Sequence, residues 1–284
     1  MKNIHEVITN QIIESMKNST GFEMPWHRQS TLPVNALTTK AYSGINTLSL
    51  WVASLQREYS SNHWATYKQW QSMGGQVDKG EKGSCIVIYM PLPVSEVDEN
   101  KYPKEHFRSA TVFNAEQVSG VGFAATYSGQ EDSAIQLQAA EQFVANSGIS
   151  IGYGGDQAYY SPSSDKIVMP ERERFLGTDT SNPTEAFYST LMHELIHSTG
   201  HKSRCARDLS SRFGSSGYAM EELVAELGAA FLCSDLKIAP YPRQDHANYL
   251  SEWLAVLGSD QKAIFWAAAR ASEAVNYLNS LQSK

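Results

Sequence analysis

Two histidines and a glutamate within five consecutive residues are the side chains of this sequence best placed to do chemistry. In the run His193-Glu194-Leu195-Ile196-His197 the histidines are four residues apart, so on a helix they lie one above the other. Both imidazoles can then bind one metal ion, while Glu194, offset around the helix axis, is placed to act as a general base on a water. The spacing therefore predicts a zinc metallopeptidase site, with His193 and His197 as ligands and Glu194 as the catalytic base.

The surrounding residues predict the helix that this site requires. Residues 182–185 read Asn-Pro-Thr-Glu, which supplies a capping residue, a proline for the first turn and a glutamate three residues after the cap. Apolar residues then recur with helical spacing from Ala186 to Leu195. Gly200 is expected to end the helix, so a single helix carries the whole motif.

A catalytic zinc needs a third protein ligand and an open fourth position, and the sequence offers three candidates. Glu222 and Glu226 lie four residues apart in a second segment with helical periodicity, so their carboxylates share one side of that helix. One would bind the metal and the other would orient a ligating imidazole. His201 follows the expected helix end, and the metzincin pattern would want its last histidine at position 203, which is Ser203. We favour Glu222 and keep Glu226 and His201 as alternatives.

Imidazole and carboxylate ligands suit zinc, and another divalent ion such as manganese fits the same set. The predicted cofactor is therefore Zn²⁺, with Mn²⁺ as the alternative. A glutamate as third ligand makes the pattern gluzincin-like. The pattern leaves open whether the site cuts peptide bonds.

Composition indicates a soluble globular protein with room for two domains. Of the 284 residues, 42% are hydrophobic and 19% are charged. No run of about 18 apolar residues predicts a membrane span, and the first residues lack the apolar core of a signal peptide. We therefore expect a cytoplasmic protein with no membrane partner. Cys85, Cys205 and Cys233 are widely separated, which favours neither disulfides nor a thiolate metal site.

Charge is unevenly spread along the chain. Residues 1–89 hold eight Lys/Arg against six Asp/Glu, net +2, whereas residues 126–284 hold twelve against nineteen, net −7. The first part is compatible with a nucleic acid, and the acidic second part is an unfavourable surface for phosphate.

The order of predicted elements indicates an α+β fold with two domains. Helices are expected at about 3–17, 46–59 and 66–73, and strands at 85–90 and 110–114, in a small N-terminal α+β domain spanning residues 1–127. A polar, glycine-containing linker, 127–133, separates it from a mainly helical zincin-like domain at 134–284, which has a small sheet. In that domain helices are expected at about 134–146, 184–199, 219–234, 245–257 and 261–281, and short strands at 159–160 and 167–169.

Two groups of motifs together resemble the ArdC-type antirestriction proteins. The first group is similar to the N-terminal domain of that family and the second to the zincin-like domain that follows it. The first comprises Pro25-Trp26, Pro33-x-Asn35, residues 42–46, Leu50-Trp51, residues 64–69, 74–83 and 112–117; the second comprises residues 193–200 with His201 and Arg204, and residues 218–232.

The resemblance implies an antirestriction factor carried by conjugative plasmids or related mobile elements. Its N-terminal domain would bind single-stranded DNA, and the protein would protect incoming DNA from restriction endonucleases of the recipient cell. Proteolysis is not implied as an established activity.

Residues of the first domain have the chemistry that sequence-tolerant single-strand binding requires, namely aromatic faces for base stacking and cations for phosphates. Trp51 and Trp70 lie on predicted helices and are expected in the core, whereas Trp26, Tyr42 and Trp64 lie in or beside loops and are better placed to contact bases. The candidate DNA-binding residues are Trp26, Arg28, Lys40, Tyr42, Asn46, Trp64, Lys68, Lys79 and Lys82.

Three functional hypotheses follow from these patterns. The first is an antirestriction protein that binds single-stranded DNA without sequence preference and carries a metallopeptidase-like domain. The second is a cytoplasmic zinc metallopeptidase that cleaves a protein partner, such as a restriction enzyme, with the N-terminal domain recognising the substrate. The third is a binding module with a closed, structural metal. We rank them in that order.

Overall fold

The computed structural model describes residues 3–18, 24–27, 31–89, 107–123, 133–177, 181–211, 215–239 and 246–282. Short 3₁₀ helices span Pro25–His27, Ala115–Gln117 and Arg172–Arg174. The α-helices are α1 (Ile4–Lys17), α2 (Ile45–Arg57), α3 (Tyr67–Ser72), α4 (Ser133–Asn146), α5 (Pro183–Thr199), α6 (Ser216–Asp235), α7 (His246–Ser259) and α8 (Ala263–Ser280). The strands are β1 (Val34–Asn35), β2 (His63–Thr66), β3 (Gln76–Val77), β4 (Ser84–Tyr89), β5 (Phe107–Asn114), β6 (Val118–Ser119), β7 (Ser150–Tyr153), β8 (Tyr159–Ser161) and β9 (Lys166–Met169).

The strands form three small sheets, and the fold is α+β as the sequence predicts. The first sheet has the order β1-β2-β5-β4, and a short pair joins β3 to β6. The third has the order β7-β9-β8, with β7 parallel and β8 antiparallel to β9. Sequence periodicity predicts β8 and β9 but misses β7, which is only four residues long and has no buried residue. Within the described ranges, no helix combines the length and apolar character that crossing a membrane requires.

One hydrophobic core joins elements from both halves of the chain. Trp51 of α2 packs against Phe231 of α6 with ring centroids 5.6 Å apart, and Trp26 packs against Trp253 of α7 at 6.2 Å. The predicted linker, 127–133, lies outside the described residues except for Ser133, which begins α4. The boundaries 1–127 and 134–284 therefore stay a prediction.

The start of α5 explains how the sequence fixes the helix that carries the motif. The Asn182 side chain accepts a hydrogen bond from the Glu185 backbone N–H, and the Glu185 carboxylate accepts one from the Asn182 N–H. Pro183 fills the first turn, where no backbone donor is needed.

Close packing of α5 on α6 depends on Gly228. A Cβ at this position would lie 2.8 Å from two side-chain carbons of Ile196, closer than carbon atoms pack. The missing side chain lets the two helices approach, so that α5 histidines and α6 glutamates can meet.

Candidate metal centre

Three side chains from α5 and α6 point their donor atoms at one small volume. The Nε2 atoms of His193 and His197 are 3.0 Å apart. Carboxylate oxygens of Glu222 lie 3.4 Å from the first nitrogen and 3.6 Å from the second. A tetrahedral ion with bonds of about 2.0–2.1 Å separates its ligand atoms by about 3.3–3.4 Å. The observed separations bracket that value, so the triangle has the size that one ion needs.

The orientation of the two imidazole rings supports the same conclusion. His197 Nδ1 forms a hydrogen bond with Glu221 Oε1 at 3.2 Å, and His193 Nδ1 lies within ion-pair distance of Glu226 Oε1, at 2.8 Å. With each Nδ1 turned toward a carboxylate, the two Nε2 atoms face each other 3.0 Å apart. One cation between them can accept a lone pair from each Nε2. The donor set therefore fits a metal ion.

Glu226 and Glu221 each contact a second residue on the side that faces away from the metal-binding histidine. Glu226 Oε2 lies 3.2 Å from His27 Nε2. Glu221 accepts two hydrogen bonds from Arg207, from Nε at 3.0 Å and from Nη2 at 2.8 Å. A carboxylate behind a ligating imidazole fixes its tautomer and ring orientation and increases its basicity. The site is thus oriented by a second layer of buried groups.

The charge state of Glu221 follows from these contacts. Burial alone would raise its pKa, but hydrogen bonds from His197 and Arg207 outweigh burial and lower the pKa below the ordinary 4.5. Glu221 is therefore ionised at neutral pH and able to accept the His197 proton.

The triangle opens into a cleft of about 270 Å³. Glu194 lines this cleft and is buried, 3% exposed. Tyr218 lines it too, and burial together with the negative charge of Glu222 raises the pKa of its phenol, which keeps its proton at neutral pH. Strand β8 forms part of the wall through Tyr159 and Tyr160. The cleft thus combines a carboxylate, a neutral phenol and a potential metal site.

The three candidates for third ligand have different positions. Glu222 completes the donor triangle, whereas Glu226 lies behind His193. The His201 Nδ1 atom is 2.8 Å from Ser203 Oγ, and His201 does not belong to the group of donor atoms. The structure therefore brings His193, His197 and Glu222 together.

The predicted base contacts of Trp26 and Trp64 are wrong. Trp26 and Trp64 are both 0% exposed and offer no face to a nucleobase. Trp26 belongs to the main core, and Trp64 packs with Leu50 and Val112 in a smaller cluster between α2 and the first sheet. Although both lie beside loops in the sequence, neighbouring elements cover them.

Two further predicted residues are half-buried and already have polar contacts. The Asn46 amide donates to the Val87 carbonyl at 2.8 Å and accepts from the Val87 N–H at 2.8 Å. The Tyr42 hydroxyl accepts a hydrogen bond from the Asn35 side chain at 3.2 Å. Their contact with DNA stays a prediction.

The predicted phosphate-binding lysines lie on the surface. Lys40, Lys68, Lys79 and Lys82 are exposed. Arg28 lies outside the described residues. Beside Lys68, Tyr67 is 40% exposed, so this aromatic, which is not among the predicted DNA-binding residues, has an accessible ring.

Sequence reasoning also missed His27, Arg207, Tyr218 and Glu221 as parts of the centre. Glu221 directly precedes Glu222 in the sequence, so this adjacent carboxylate was a usable signal. No spacing in the sequence links His27 to Glu226, which is 199 residues away.

Comparison with known families finds a match for each half of the chain. Residues 138–270 match the model of a zincin-like metallopeptidase family, and residues 2–119 match the N-terminal domain of the anti-restriction factor ArdC. The fold and these matches define a zincin-like domain that follows an ArdC-type N-terminal region. The chain belongs to the ArdC family of antirestriction proteins.

Solved structures and sequence relatives extend along the whole chain. The metal-free crystal structure of ArdC from plasmid R388 superposes with a TM-score of 0.80 at 34% identity, covering 99% of this chain and 98% of that one. The Mn(II)-bound form gives 0.78 at 33%, covering 99% of both. The uncharacterized protein y4eC of Sinorhizobium fredii is 40% identical over 99% of this chain and 92% of its own length. A DNA primase TraC of Escherichia coli is 36% identical over 100% of this chain, which spans 20% of the primase.

Proposed function

We propose that this protein binds single-stranded DNA without sequence preference, protects incoming plasmid DNA from host restriction, and carries a metal centre of metallopeptidase type. Family membership supports the antirestriction role. The observation that carries the metal centre is the spacing of its donors: the two imidazole Nε2 atoms are 3.0 Å apart, and the two carboxylate oxygens of Glu222 lie 3.4 Å from His193 Nε2 and 3.6 Å from His197 Nε2. Because its proposed partners are cytoplasmic, the proposal puts the protein in the cytoplasm.

His193, His197 and Glu222 would hold one divalent ion. Zinc suits two imidazoles and a carboxylate, and manganese is the alternative. The crystallised R388 relative with Mn(II) supports that alternative. When bound, the ion would polarise a substrate carbonyl and make water more acidic.

The residues around the triangle suit peptide hydrolysis. Glu194 would take a proton from the attacking water and pass it to the leaving amine. The Tyr218 phenol, which keeps its proton at neutral pH, would donate a hydrogen bond to the carbonyl oxygen as negative charge develops there. Strand β8 pairs on one side with β9 and lies at the edge of its sheet among the described strands. An extended peptide pairing with β8 would therefore pass through the cleft.

The DNA part of the proposal depends on exposed cations rather than on the tryptophans. Binding of the full chain to a labelled oligonucleotide is measured by fluorescence anisotropy at several salt concentrations. We expect tighter binding to single strands than to the matching duplex, and an affinity that falls as salt rises. Equal affinity for both forms would contradict the proposal.

Lysine variants test where phosphate binds. Each phosphate contact on a single strand contributes about 0.7 to the slope of log affinity against log salt. Replacing Lys79 and Lys82 together by Ala should reduce that slope by roughly 1.4. Replacing the exposed Lys202 and Lys262 of the second half by Ala removes the same charge and should leave the slope unchanged. Equal effects of both pairs would show that only net charge matters.

A second candidate function is proteolysis of a protein partner, such as a restriction enzyme, which the cleft lined by Glu194 and the edge strand favours. The substitution Glu194→Gln distinguishes protection by DNA binding from protection by proteolysis, because coating of DNA needs no hydrolysis. Protection of plasmid DNA during transfer into a restricting strain should survive this substitution under the first proposal. Loss of protection, with metal and DNA binding retained, would put proteolysis first.

A further inference from the structure

His27 belongs to the region matched by the ArdC N-terminal domain, yet its side chain reaches the metal centre. It is 3% exposed, and its Nε2 atom lies 3.2 Å from Glu226 Oε2. The other oxygen of the same carboxylate lies 2.8 Å from His193 Nδ1. Glu226 therefore bridges two imidazoles, one from each matched region.

The backbone determines which nitrogen of His27 faces Glu226 with a proton. The Met24 backbone N–H donates a hydrogen bond to His27 Nδ1 at 3.0 Å. Because an amide N–H only donates, Nδ1 is the accepting nitrogen and Nε2 carries the hydrogen that points at Glu226. The 3₁₀ helix Pro25–His27 thus presents a fixed donor to the carboxylate.

Packing holds this short helix against the helices of the centre. Its Trp26 is fully buried next to Trp253 of α7. The Trp253 indole N–H in turn donates to the Ala219 carbonyl in the first turns of α6, at 2.8 Å. The segment therefore has a fixed position relative to Glu226.

We infer that His27 is a positioning residue of the metal centre, which holds Glu226 and through it the ring of His193, so that metal affinity depends on the seating of the N-terminal region. The inference rests on the proposed metal centre. Partners that orient a metal-binding histidine typically change metal affinity by 10–100-fold when removed. Because His27 acts through one intervening carboxylate, we expect the lower end, about tenfold.

The test is the affinity of the full chain for Zn²⁺ and Mn²⁺, measured by competition with a chromophoric chelator. His27→Phe removes the donor and should weaken binding about tenfold. The matched control is His5→Phe, because His5 is also a buried histidine, 6% exposed, and its ring packs against Phe107 and Phe265. The control should leave the affinity unchanged.

Two amide variants distinguish positioning from general destabilisation. Gln at position 27 offers both an acceptor for the Met24 N–H and a donor for Glu226, so His27→Gln should retain most of the native metal affinity. When loaded with Co²⁺, this variant should also show the absorption spectrum of the Co²⁺-loaded native chain. Asn is one carbon shorter and should behave like Phe. His27→Asn also provides the measurement if His27→Phe fails to fold.

A double-mutant cycle tests the route through Glu226. In a Glu226→Gln background, His27→Phe should change metal affinity by less than about twofold. An undiminished tenfold loss there, or unchanged affinity in both His27→Phe and His27→Asn of the otherwise native chain, overturns the inference while the proposed centre stands. A native chain that binds no metal overturns the proposed centre itself.

Discussion

Arg207 supports the metal centre from a buried position, and its removal should lower the free energy of unfolding. The side chain is 3% exposed and forms two hydrogen bonds with Glu221, which is itself 10% exposed. It also donates to the Ile196 carbonyl and to Thr199 Oγ1 at the end of α5. Breaking a buried ion pair by removing one partner typically costs about 3–5 kcal/mol. Arg207→Met should therefore lower the free energy of unfolding by about that amount.

The assay is thermal unfolding of the metal-free protein, followed by circular dichroism. For a chain of this size 1 kcal/mol shifts Tm by about 2 °C, so we expect Tm to fall by roughly 6–10 °C. Replacing Glu221 as well, as Arg207→Met with Glu221→Gln, should recover part of the loss because no unpaired charge remains buried. A Tm within about 2 °C of the native value would refute the reasoning.

The pH dependence of the same variant gives an independent check. The folded-state pKa of Glu221 is lowered, so its ion pair contributes stability above the unfolded-state value near 4.5 and loses it as pH falls through the folded pKa. The difference in unfolding free energy between the native chain and Arg207→Met should therefore be full at pH 7 and shrink in the acidic range below 4.5. A difference that grows on acidification would contradict the assigned charge state.

Three further substitutions test separate parts of the account. Glu194→Gln keeps the shape of the side chain but removes the base, so the variant should retain its metal in elemental analysis and lose any cleavage of an unstructured protein substrate. Cleavage at the native rate would exclude Glu194 from the chemistry. Trp64→Ala should lower the free energy of unfolding by about 3–5 kcal/mol in denaturant titration, since the ring is fully buried. A folded variant of native stability with weaker DNA binding would show instead that Trp64 contacts DNA. Gly228→Ala should force α5 away from α6, which costs about 1–3 kcal/mol of stability and weakens metal binding. Adding Ile196→Ala removes the clash and should restore the metal affinity, whereas native metal affinity in the single variant would show that the helix spacing is not critical.

The sequence predicts the helices of the metal centre well because their signals are local. Capping, proline placement and apolar spacing all lie within residues 182–200, and the carboxylates of Glu222 and Glu226 share one side of α6 by helical period alone. Helical periodicity cannot show which of the two carboxylates binds the metal. In the structure Glu222 faces both Nε2 atoms, whereas Glu226 lies behind His193. That distinction depends on how two helices pack.

Sequence reasoning placed Trp51 and Trp70 correctly in the core, but it placed Trp26 and Trp64 wrongly at the surface. A tryptophan beside a loop can lie on the surface or under a neighbouring element, and only tertiary packing decides. Trp26 is covered by α7 and Trp64 by α2, whereas the lysines, whose charge disfavours burial, are exposed as expected. Contacts such as His27 with Glu226 join residues 199 positions apart, and no local pattern encodes them.

His193, His197 and Glu222 are proposed to bind one divalent ion between α5 and α6. Anomalous diffraction from a crystal of the zinc-loaded or manganese-loaded protein tests it most directly. The account predicts a single strong peak about 2.0–2.2 Å from both Nε2 atoms and from a Glu222 oxygen, with Glu226 behind His193 and not bound to the ion. A metal-loaded crystal whose peak is bound instead by Glu226 or His201, or lies away from the two histidines, would contradict it.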